Sequence, residues 1–201
     1  MRIKICGLSR DADIDYVNEA KPDYAGFVFA ESRRKVSPPL AQYLRFRLAN
    51  DIIPVGVFVN APIAFIVNLY NNGIISIAQL HGDEDDSYIL ALKKACGSKP
   101  VPVIKTINFT AGEYIKYIHE PANPDFILLD SGAGSGKTFD WNKIKQYKID
   151  KPWFLAGGIN TKNLKMAMEQ SPYAIDVSSG AETDGIKNRE KILQLVNMCR
   201  Q

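Results

Sequence analysis

Short apolar runs rich in valine, isoleucine and phenylalanine recur along the chain, and most are nearly continuous rather than alternating with polar residues. Continuous apolar runs of this length are typical of strands buried on both faces of a parallel sheet. The pattern therefore predicts strands at residues 3–6, 24–29, 53–59, 77–81, 101–106, 126–130, 153–158 and 174–180.

Segments between these runs carry apolar residues at helical spacing. One stripe consists of Ile63, Ile66, Val67 and Tyr70. Asn60 is the predicted N-cap of this helix, with Pro62 in its first turn. A second stripe begins at Tyr88 after the acidic run "DEDD", whose carboxylates favour a helix N-terminus. A closing stripe consists of Ile192, Leu195, Val196 and Cys199.

Strand and helix thus alternate eight times within 201 residues, without a linker or low-complexity tract. Eight βα units are the number that closes a (β/α)₈ barrel, the TIM barrel of parallel strands. An open doubly wound sheet is the alternative, because periodicity does not prove closure. We expect an α/β protein whose residues 1–201 form a single barrel domain.

The composition of the chain limits the classes of ligand that we expect it to bind. The content of 46% hydrophobic and 23% charged residues is that of an ordinary globular protein with a sizeable core. The net charge of +3 is mild, and its densest cluster, residues 33–35, is too short to indicate nucleic-acid binding. We expect an anionic small-molecule ligand and no nucleic-acid partner.

The number and spacing of the cysteines and the hydropathy of the chain indicate its cellular compartment. The three cysteines show no paired or metal-binding spacing, which is typical of a reducing environment. The run "MRIKICGLSRDAD" lacks a signal peptide's apolar stretch, and no segment is apolar enough to span a membrane. We therefore expect a cytoplasmic protein without a membrane partner.

The stretch "DSGAGSGKTFDW" at 130–141 resembles a nucleotide-binding P-loop. The required pattern G-x-x-x-x-G-K-[ST] places a glycine at position 131, where this chain has Ser131. In a P-loop the helix starts at Gly-Lys-Thr, whereas the best N-cap here is Asp140. Spacing and context thus disfavour an NTPase and favour a glycine-rich loop after the sixth strand.

The carboxyl ends of barrel strands share one mouth, where TIM-barrel active sites lie. Cys6 ends the first strand and Asp130 the sixth. A lone cysteine is usually an inert buried residue, but a thiolate near cations at the mouth can act as a base. Asp130 is either a reactive or a structural carboxylate. The pattern assigns no proton-transfer role to His81, and it gives no side-chain direction for Lys4 or Lys105.

Small residues follow the seventh and eighth strands in "AGGIN" and "VSSGAE". This is the usual phosphate site of the barrel, where backbone N–H groups and a helix N-terminus, here capped by Asn160, meet the anion. Tight turns would need the same residues, and only their joint position favours phosphate. The predicted phosphate-binding residues are Gly157, Gly158, Ser178, Ser179 and Gly180.

Short blocks occur in a family-specific order along almost the whole chain. They are "KICG", "GFVF", "SRRKVSP", "VGVFVN", "QLHG", "LLD", "GSGKTFDW", "GGIN" and "DVSSGAE". In this order they resemble phosphoribosylanthranilate isomerase of tryptophan biosynthesis.

The resemblance implies an Amadori rearrangement of N-(5-phosphoribosyl)anthranilate to 1-(2-carboxyphenylamino)-1-deoxyribulose 5-phosphate, without cofactor or metal. It implies Cys6 as general base, Asp130 as general acid and Arg34 as the partner of the anthranilate carboxylate.

Three other functions stay open at this point. A sugar isomerase of histidine biosynthesis would carry aspartate at the end of the first strand, where this chain has Cys6. A non-catalytic phosphate-binding barrel would bind its ligand without turnover. A P-loop NTPase would bind MgATP or MgGTP through Lys137. No apolar stripe is surplus to the barrel, so no oligomeric state is predicted.

Overall fold

The apolar runs fold as parallel strands that close into a barrel. The structure, a computed structural model, describes residues 1–109, 124–130, 141–146 and 149–201. Each strand pairs in parallel with the next, and the eighth pairs with the first. The barrel strands are β1 Arg2–Cys6, β2 Tyr24–Val28, β3 Ile53–Phe58, β4 Ile77–Leu80, β5 Val103–Asn108, β6 Phe126–Asp130, β7 Trp153–Leu155 and β8 Ala174–Val177. The predicted TIM barrel is confirmed, and the open sheet is excluded.

Within the described residues, α-helices follow six of the eight barrel strands, in agreement with the predicted alternation. The described α-helices are α1 Asp11–Ala20, α2 Pro38–Arg47, α3 Ile63–Asn71, α4 Asp86–Ala95, α5 Leu164–Met168 and α6 Arg189–Arg200. Short 3₁₀ helices span Trp141–Gln146 and Ser179–Ala181. A small antiparallel hairpin, β9 Glu182–Thr183 and β10 Ile186–Lys187, follows β8.

The hydrophobic core has two parts. The larger part packs the outer face of the strands against the helices, and the predicted closing stripe on α6 is buried within it. The smaller part fills the barrel interior with Tyr24, Val55, Ile77, Ile104, Leu128, Phe154, Ala156 and Ala174. On β6 and β8 these apolar residues come two positions before the inward-facing Asp130 and Asp176. The interior is therefore apolar toward the strand beginnings and polar at the mouth.

The prediction of Asn60 as the N-cap of α3 is wrong. The helix begins at Ile63, with Pro62 at the N-cap position and no side-chain cap. Asn60 has a positive φ of 49°. Its side chain bonds to the next βα loop instead, since Oδ1 accepts from the N–H of Asp83 at 2.9 Å. The Asn60 side chain therefore bonds to a loop that is distant in the chain and does not cap α3.

Asn160 is likewise not a helix N-cap. Its Oδ1 accepts from the N–H of Lys162, which closes an Asx turn, and α5 begins only at Leu164 after Asn163. By contrast, the acidic start predicted for α4 is confirmed, because Asp85 caps the helix by accepting from the N–H of Tyr88.

Three predicted strands differ from the observed ones by two or more residues at an end. The fifth strand is Val103–Asn108 rather than 101–106, so Lys105 lies within the strand and not at its end. The seventh and eighth strands end at Leu155 and Val177, which leaves the predicted phosphate-binding residues in the loops that follow. The P-loop-like residues 131–138, Lys137 among them, and Asp140 lie outside the described residues.

Candidate active site

A cavity of about 410 Å³ opens at the mouth of the barrel. This volume is within the range of small-molecule sites, roughly 300–1,000 Å³. Most of its walls are the last inward-facing residues of the strands and the loops that follow. The cavity is lined by Cys6, Val28, Ala30, Glu31, Ser32, Arg34, Val57, Val59, Gln79, His81, Asp130, Ala156, Gly157, Gly158, Ile159, Asp176, Ser178 and Ser179.

The structure brings almost all the predicted site residues into this cavity. Cys6, Arg34, Asp130, Gly157, Gly158, Ser178 and Ser179 line it. Gly180 is not among the lining residues, because it packs behind the wall against the backbone of Ile159. Residues separated by more than 170 positions therefore share one concave surface.

Cys6 is the last residue of β1, and only 7% of its surface is exposed. It pairs with Gly26 on β2, where an added Cβ would lie 2.7 Å from the Cys6 sulfur. The absence of a side chain at Gly26 thus makes room for the thiol. On the other side, the Ser178 hydroxyl donates to the Cys6 carbonyl at 3.2 Å, which ties β1 to the loop after β8.

Two influences oppose each other at the Cys6 thiol. Burial raises its pKa, because a buried thiolate loses its hydration. The nearby Lys4 ammonium lowers it, although not enough to cancel the effect of burial. The thiol form therefore predominates at neutral pH in the ligand-free protein.

Asp130 is the last residue of β6, and its carboxylate faces His81, which directly follows β4. The His81 Nε2 and Asp130 Oδ2 atoms are 3.6 Å apart. Burial lowers the pKa of His81, and the opposing effect of Asp130 is smaller, so the imidazole is neutral at neutral pH. A neutral ring beside Asp130 was not foreseen from the sequence.

Gln79 connects this histidine to the neighbouring strand. Its Nε2 lies 3.3 Å from His81 Nδ1 and 3.5 Å from the Thr106 hydroxyl oxygen. With the amide nitrogen donating to Nδ1, the imidazole carries its proton on Nε2, the atom that faces Asp130.

Arg34 lies in the loop after β2 and reaches past the end of β1 to Glu182 on β9. Its Nε and Nη2 donate to the two carboxylate oxygens at 2.7 and 2.9 Å. Arg33 and Lys187 pair with the same carboxylate, each at 2.6 Å. Burial opposes ionisation of Glu182, but the hydrogen bonds from Arg34 and Lys187 outweigh it and lower the pKa of that carboxyl. Three cations around one carboxylate leave an excess of positive charge, which suits an anionic ligand group.

Gly7 explains how Arg34 reaches its position. Its φ of +85° is in the left-handed region, and an added Cβ would lie 2.3 Å from the Arg34 Cδ atom. Only glycine combines this backbone angle with the close approach of the arginine stem. The "CG" pair at the end of β1 therefore provides the thiol and also leaves room for the Arg34 side chain.

The loops after β7 and β8 approach each other closely. An added Cβ at Gly180 would lie 1.9 Å from the Ile159 carbonyl oxygen, a distance that no side chain tolerates. Gly157 and Gly158 both have positive φ, at 90° and 66°. Among the described residues, the backbone N–H groups of Gly157, Gly158, Ser179 and Gly180 enter none of the hydrogen bonds. Free N–H groups on two adjoining loops form a surface that suits an anion.

Lys105 has a structural environment. Its side chain is buried, donates to the Gly82 carbonyl and lies 3.3 Å from a Glu84 carboxylate oxygen. The same carboxylate accepts from the N–H groups of Asn60 and Gly82. Lys105 thus holds the loop after β4 and does not line the cavity.

Sequence reasoning missed Gln79 and Asp176 as cavity residues. Each is a polar residue inside an otherwise apolar strand, at the position that alternation directs into the barrel. That pattern was the available signal. Glu182 carried no such signal, because its partner Arg34 is distant in the chain.

Metal-binding and membrane features were also sought within the described parts of the chain. No cluster of three or more histidine, cysteine, aspartate or glutamate residues there is arranged to hold a metal ion. None of the helices described has the length and apolar character that crossing a membrane requires.

Comparisons with known proteins converge on one family. The family model described as N-(5'-phosphoribosyl)anthranilate (PRA) isomerase matches residues 3–198. An N-(5'-phosphoribosyl)anthranilate isomerase of Endomicrobium trichonymphae is 43% identical over 205 residues, covering 99% of this chain and 98% of the relative.

Solved structures agree with the sequence comparison. The crystal structure of phosphoribosyl anthranilate isomerase from Thermus thermophilus is 30% identical with a TM-score of 0.87, covering 100% of this chain and 98% of that one. A crystal structure of phosphoribosyl anthranilate isomerase in complex with reduced 1-(o-carboxyphenylamino)-1-deoxyribulose 5-phosphate is also 30% identical. It has a TM-score of 0.81 and the same coverage of both chains.

Proposed function

This chain belongs to the N-(5'-phosphoribosyl)anthranilate isomerase family of tryptophan biosynthesis, and we propose that it isomerises its substrate by an Amadori rearrangement. The substrate is N-(5-phosphoribosyl)anthranilate, an aldose derivative, and the product is the ketose 1-(2-carboxyphenylamino)-1-deoxyribulose 5-phosphate. In this proposal the barrel formed by residues 1–201 acts as one catalytic domain, with Cys6 as general base and Asp130 as general acid.

The observation that carries the proposal is the position of these two groups. Cys6 and Asp130 end two different strands and line the same cavity. An acid and a base on separate walls can act on two different atoms of one bound sugar. Neither step requires a cofactor, because both side chains move only protons.

Asp130 acts first, in its protonated form. It donates its proton to the furanose ring oxygen, the bond between that oxygen and C1 breaks, and the anthranilate nitrogen forms a protonated Schiff base with C1. The resulting carboxylate faces the N–H of neutral His81, at a separation of 3.6 Å. A neutral donor beside it favours the charge that develops on Asp130.

Cys6 then acts as thiolate. It takes the proton from C2, and the electron pair of that C–H bond forms the enolamine as the charge on nitrogen is neutralised. Tautomerisation of the enolamine to the ketose completes the reaction. Because burial favours the thiol, the thiolate needs support from a cation, and Lys4 is the group that most lowers the Cys6 pKa.

Two anion sites hold the ends of the substrate in this proposal. Arg34 binds the anthranilate carboxylate, supported by the excess positive charge around Glu182. The phosphate binds the adjoining loops after β7 and β8, at Gly157, Gly158, Ser178, Ser179 and Gly180. The Ser178 hydroxyl already donates to Cys6, so its contribution there is through the backbone.

The complex of the related isomerase supports a phosphorylated small-molecule substrate. Its ligand is named as the reduced form of the product proposed for this chain. A substrate fixed at both ends presents C1 and C2 to the acid and base between them.

The direct test is a fluorescence assay that follows consumption of N-(5-phosphoribosyl)anthranilate by the purified protein. Catalytic turnover is expected. Binding without turnover, retained in Cys6→Ala and Asp130→Ala, would identify a non-catalytic phosphate-binding barrel instead. Turnover only of the bulkier phosphoribosyl substrate of histidine biosynthesis would identify the other sugar isomerase.

A further inference from the structure

A buried ion pair crosses from β1 to β8 directly beneath the cavity. The Lys4 side chain has no exposed surface, and its ammonium group donates to both Asp176 carboxylate oxygens, at 3.0 and 2.9 Å. The two residues are also partners in the strand register. Burying two charges removes their hydration, and their mutual attraction often does no more than offset that cost, so stability alone is a weak reason for such a pair.

The pair adjoins Cys6. Lys4 and Cys6 are two residues apart on β1, so their side chains project to the same side of the strand, into the barrel. Asp176 lines the cavity together with Cys6. Ser178, two residues after Asp176, holds the Cys6 carbonyl. The Lys4–Asp176 pair therefore lies one layer of side chains below the Cys6 thiol, on the neighbouring strands β1 and β8.

We propose that Lys4 is a positioning residue that stabilises the thiolate of Cys6, and that Asp176 is the counter-ion that keeps Lys4 charged. The proposal rests on the proposed function, in which that thiolate is the general base. Lys4 does not line the cavity, so it does not touch a substrate bound there.

The charges around the two groups agree with this assignment. Burial disfavours the Lys4 ammonium, but Asp176 and Cys6 outweigh it and raise the pKa of Lys4. At Cys6, Lys4 is the strongest influence that lowers the pKa, whereas Asp176 raises it. Asp176 thus has two opposite effects, since it maintains the cation and also competes for it.

Other charged groups also face Cys6. Lys187 lowers the Cys6 pKa less than Lys4 does, and Arg34 interacts with the thiol from the loop after β2. Both cations have Glu182 as their counter-ion, just as Lys4 has Asp176, so it is the strength of their effect on Cys6 that separates them. Across the cavity lie Asp130 and neutral His81. Lys4 is therefore the principal cation available to the thiolate.

The test is a pH titration of the Cys6 thiolate by its absorbance near 240 nm, without substrate. Because Cys96 and Cys199 also absorb, each spectrum is corrected by subtracting that of the same protein carrying Cys6→Ser. The main variant is Lys4→Met with Asp176→Asn, which removes both charges and leaves neither buried ion unpaired. Circular dichroism checks its fold.

The chain offers a matched control in another buried lysine–carboxylate pair, Lys105 with Glu84. Lys105→Met with Glu84→Gln removes a pair of the same chemistry that does not influence Cys6. The titration midpoint of Cys6 is expected to rise by at least about one pH unit in Lys4→Met/Asp176→Asn and to stay unchanged in the control. A rise of one unit corresponds to about tenfold less thiolate at neutral pH, and the limb of kcat/KM that reports the base shifts with it.

The single variant Lys4→Gln provides a second prediction. It removes the cation, keeps an amide that can donate to Asp176, and leaves the Asp176 charge, which raises the Cys6 pKa, so the Cys6 midpoint is again expected to rise. An unchanged midpoint in a folded Lys4→Met/Asp176→Asn protein, or a midpoint that does not rise in Lys4→Gln, overturns the proposal. If the double variant does not fold, the Lys4→Gln titration decides. Because the titration needs no turnover, it is separate from the role of Cys6 itself, which would fail if Cys6→Ser retained activity.

Discussion

The His81 Nε2 atom lies 3.6 Å from the Asp130 Oδ2 atom, although His81 follows β4 and Asp130 ends β6. Burial lowers the pKa of His81, so the group facing Asp130 is a neutral N–H. Gln79 Nε2 lies 3.3 Å from the other ring nitrogen, Nδ1, and an amide N–H that donates there leaves the ring proton on Nε2. The proposed acid therefore has a neutral neighbour that favours the carboxylate left after proton transfer.

Replacing Asp130 tests the acid. Asp130→Asn is expected to lower kcat by roughly two or more orders of magnitude, because a carboxamide cannot donate the proton that opens the ring. Steady-state kinetics with purified protein measures this. Asp51→Asn, at an exposed aspartate far from the cavity, serves as the control. Near-normal kcat in Asp130→Asn would remove the residue from the mechanism.

Replacing Arg34 tests the carboxylate site. Arg34→Ala is expected mainly to raise KM, because the guanidinium contacts the substrate in a part that does not react. Arg34→Lys should restore only part of the affinity, since an ammonium group cannot bind a carboxylate through two parallel hydrogen bonds. Arg33→Ala is the comparison, because Arg33 pairs with the same Glu182 but does not line the cavity. An unchanged KM in Arg34→Ala, or an equal effect in Arg33→Ala, would contradict the assignment.

Replacing Gly180 with alanine tests the proposed phosphate site. A Cβ there would lie 1.9 Å from the Ile159 carbonyl oxygen, so Gly180→Ala must separate the loops after β7 and β8. KM for the substrate and the inhibition constant of inorganic phosphate are both expected to rise. Gly97→Ala is the control, since no heavy atom lies within 4 Å of its added Cβ, and its positive φ of 72° makes alanine there a backbone strain without a steric clash. Equal phosphate inhibition in the two variants would count against this site.

The pH dependence tests the base. Burial raises the pKa of Cys6, so the thiolate forms above the ordinary thiol value of about 8.5. Because the thiolate is the form that alkylating reagents attack, the rate of Cys6 alkylation by iodoacetamide, taken as the difference between the wild type and Cys6→Ser, is expected to keep rising as pH increases from 6 to about 9. His81 stays neutral over this range, because its pKa is lowered. A rate of Cys6 alkylation that is flat or falls across these pH values would be inconsistent with a thiol whose pKa is raised by burial.

The sequence predicted the barrel because strands buried on both faces leave continuous apolar runs, and these do not depend on distant residues. It also placed Cys6 and Asp130 at the mouth, since strand ends follow from the same runs. Apolar runs do not set strand boundaries, however, and Lys105 was expected near the end of β5 but lies within it, bonded to the loop after β4.

Contacts between distant residues could not be predicted in this way. The pairing of Arg34 with Glu182 joins residues 148 positions apart, and the approach of Gly180 to Ile159 depends on how two loops pack. The Asn60 and Asn160 side chains formed turns rather than helix caps for a related reason. Capping and turn formation use the same amide oxygen, and the surrounding structure decides between them.

The most direct test of the central claim is the kcat of Cys6→Ser on N-(5-phosphoribosyl)anthranilate. A hydroxyl is a far weaker acid than a thiol, so it supplies almost no anionic base at neutral pH, and kcat is expected to fall by roughly two or more orders of magnitude. Cys96→Ser, which alters a cysteine that does not line the cavity, is expected to keep wild-type kcat. Near-normal kcat in Cys6→Ser would contradict the account, because the C2 proton would then be removed by another group.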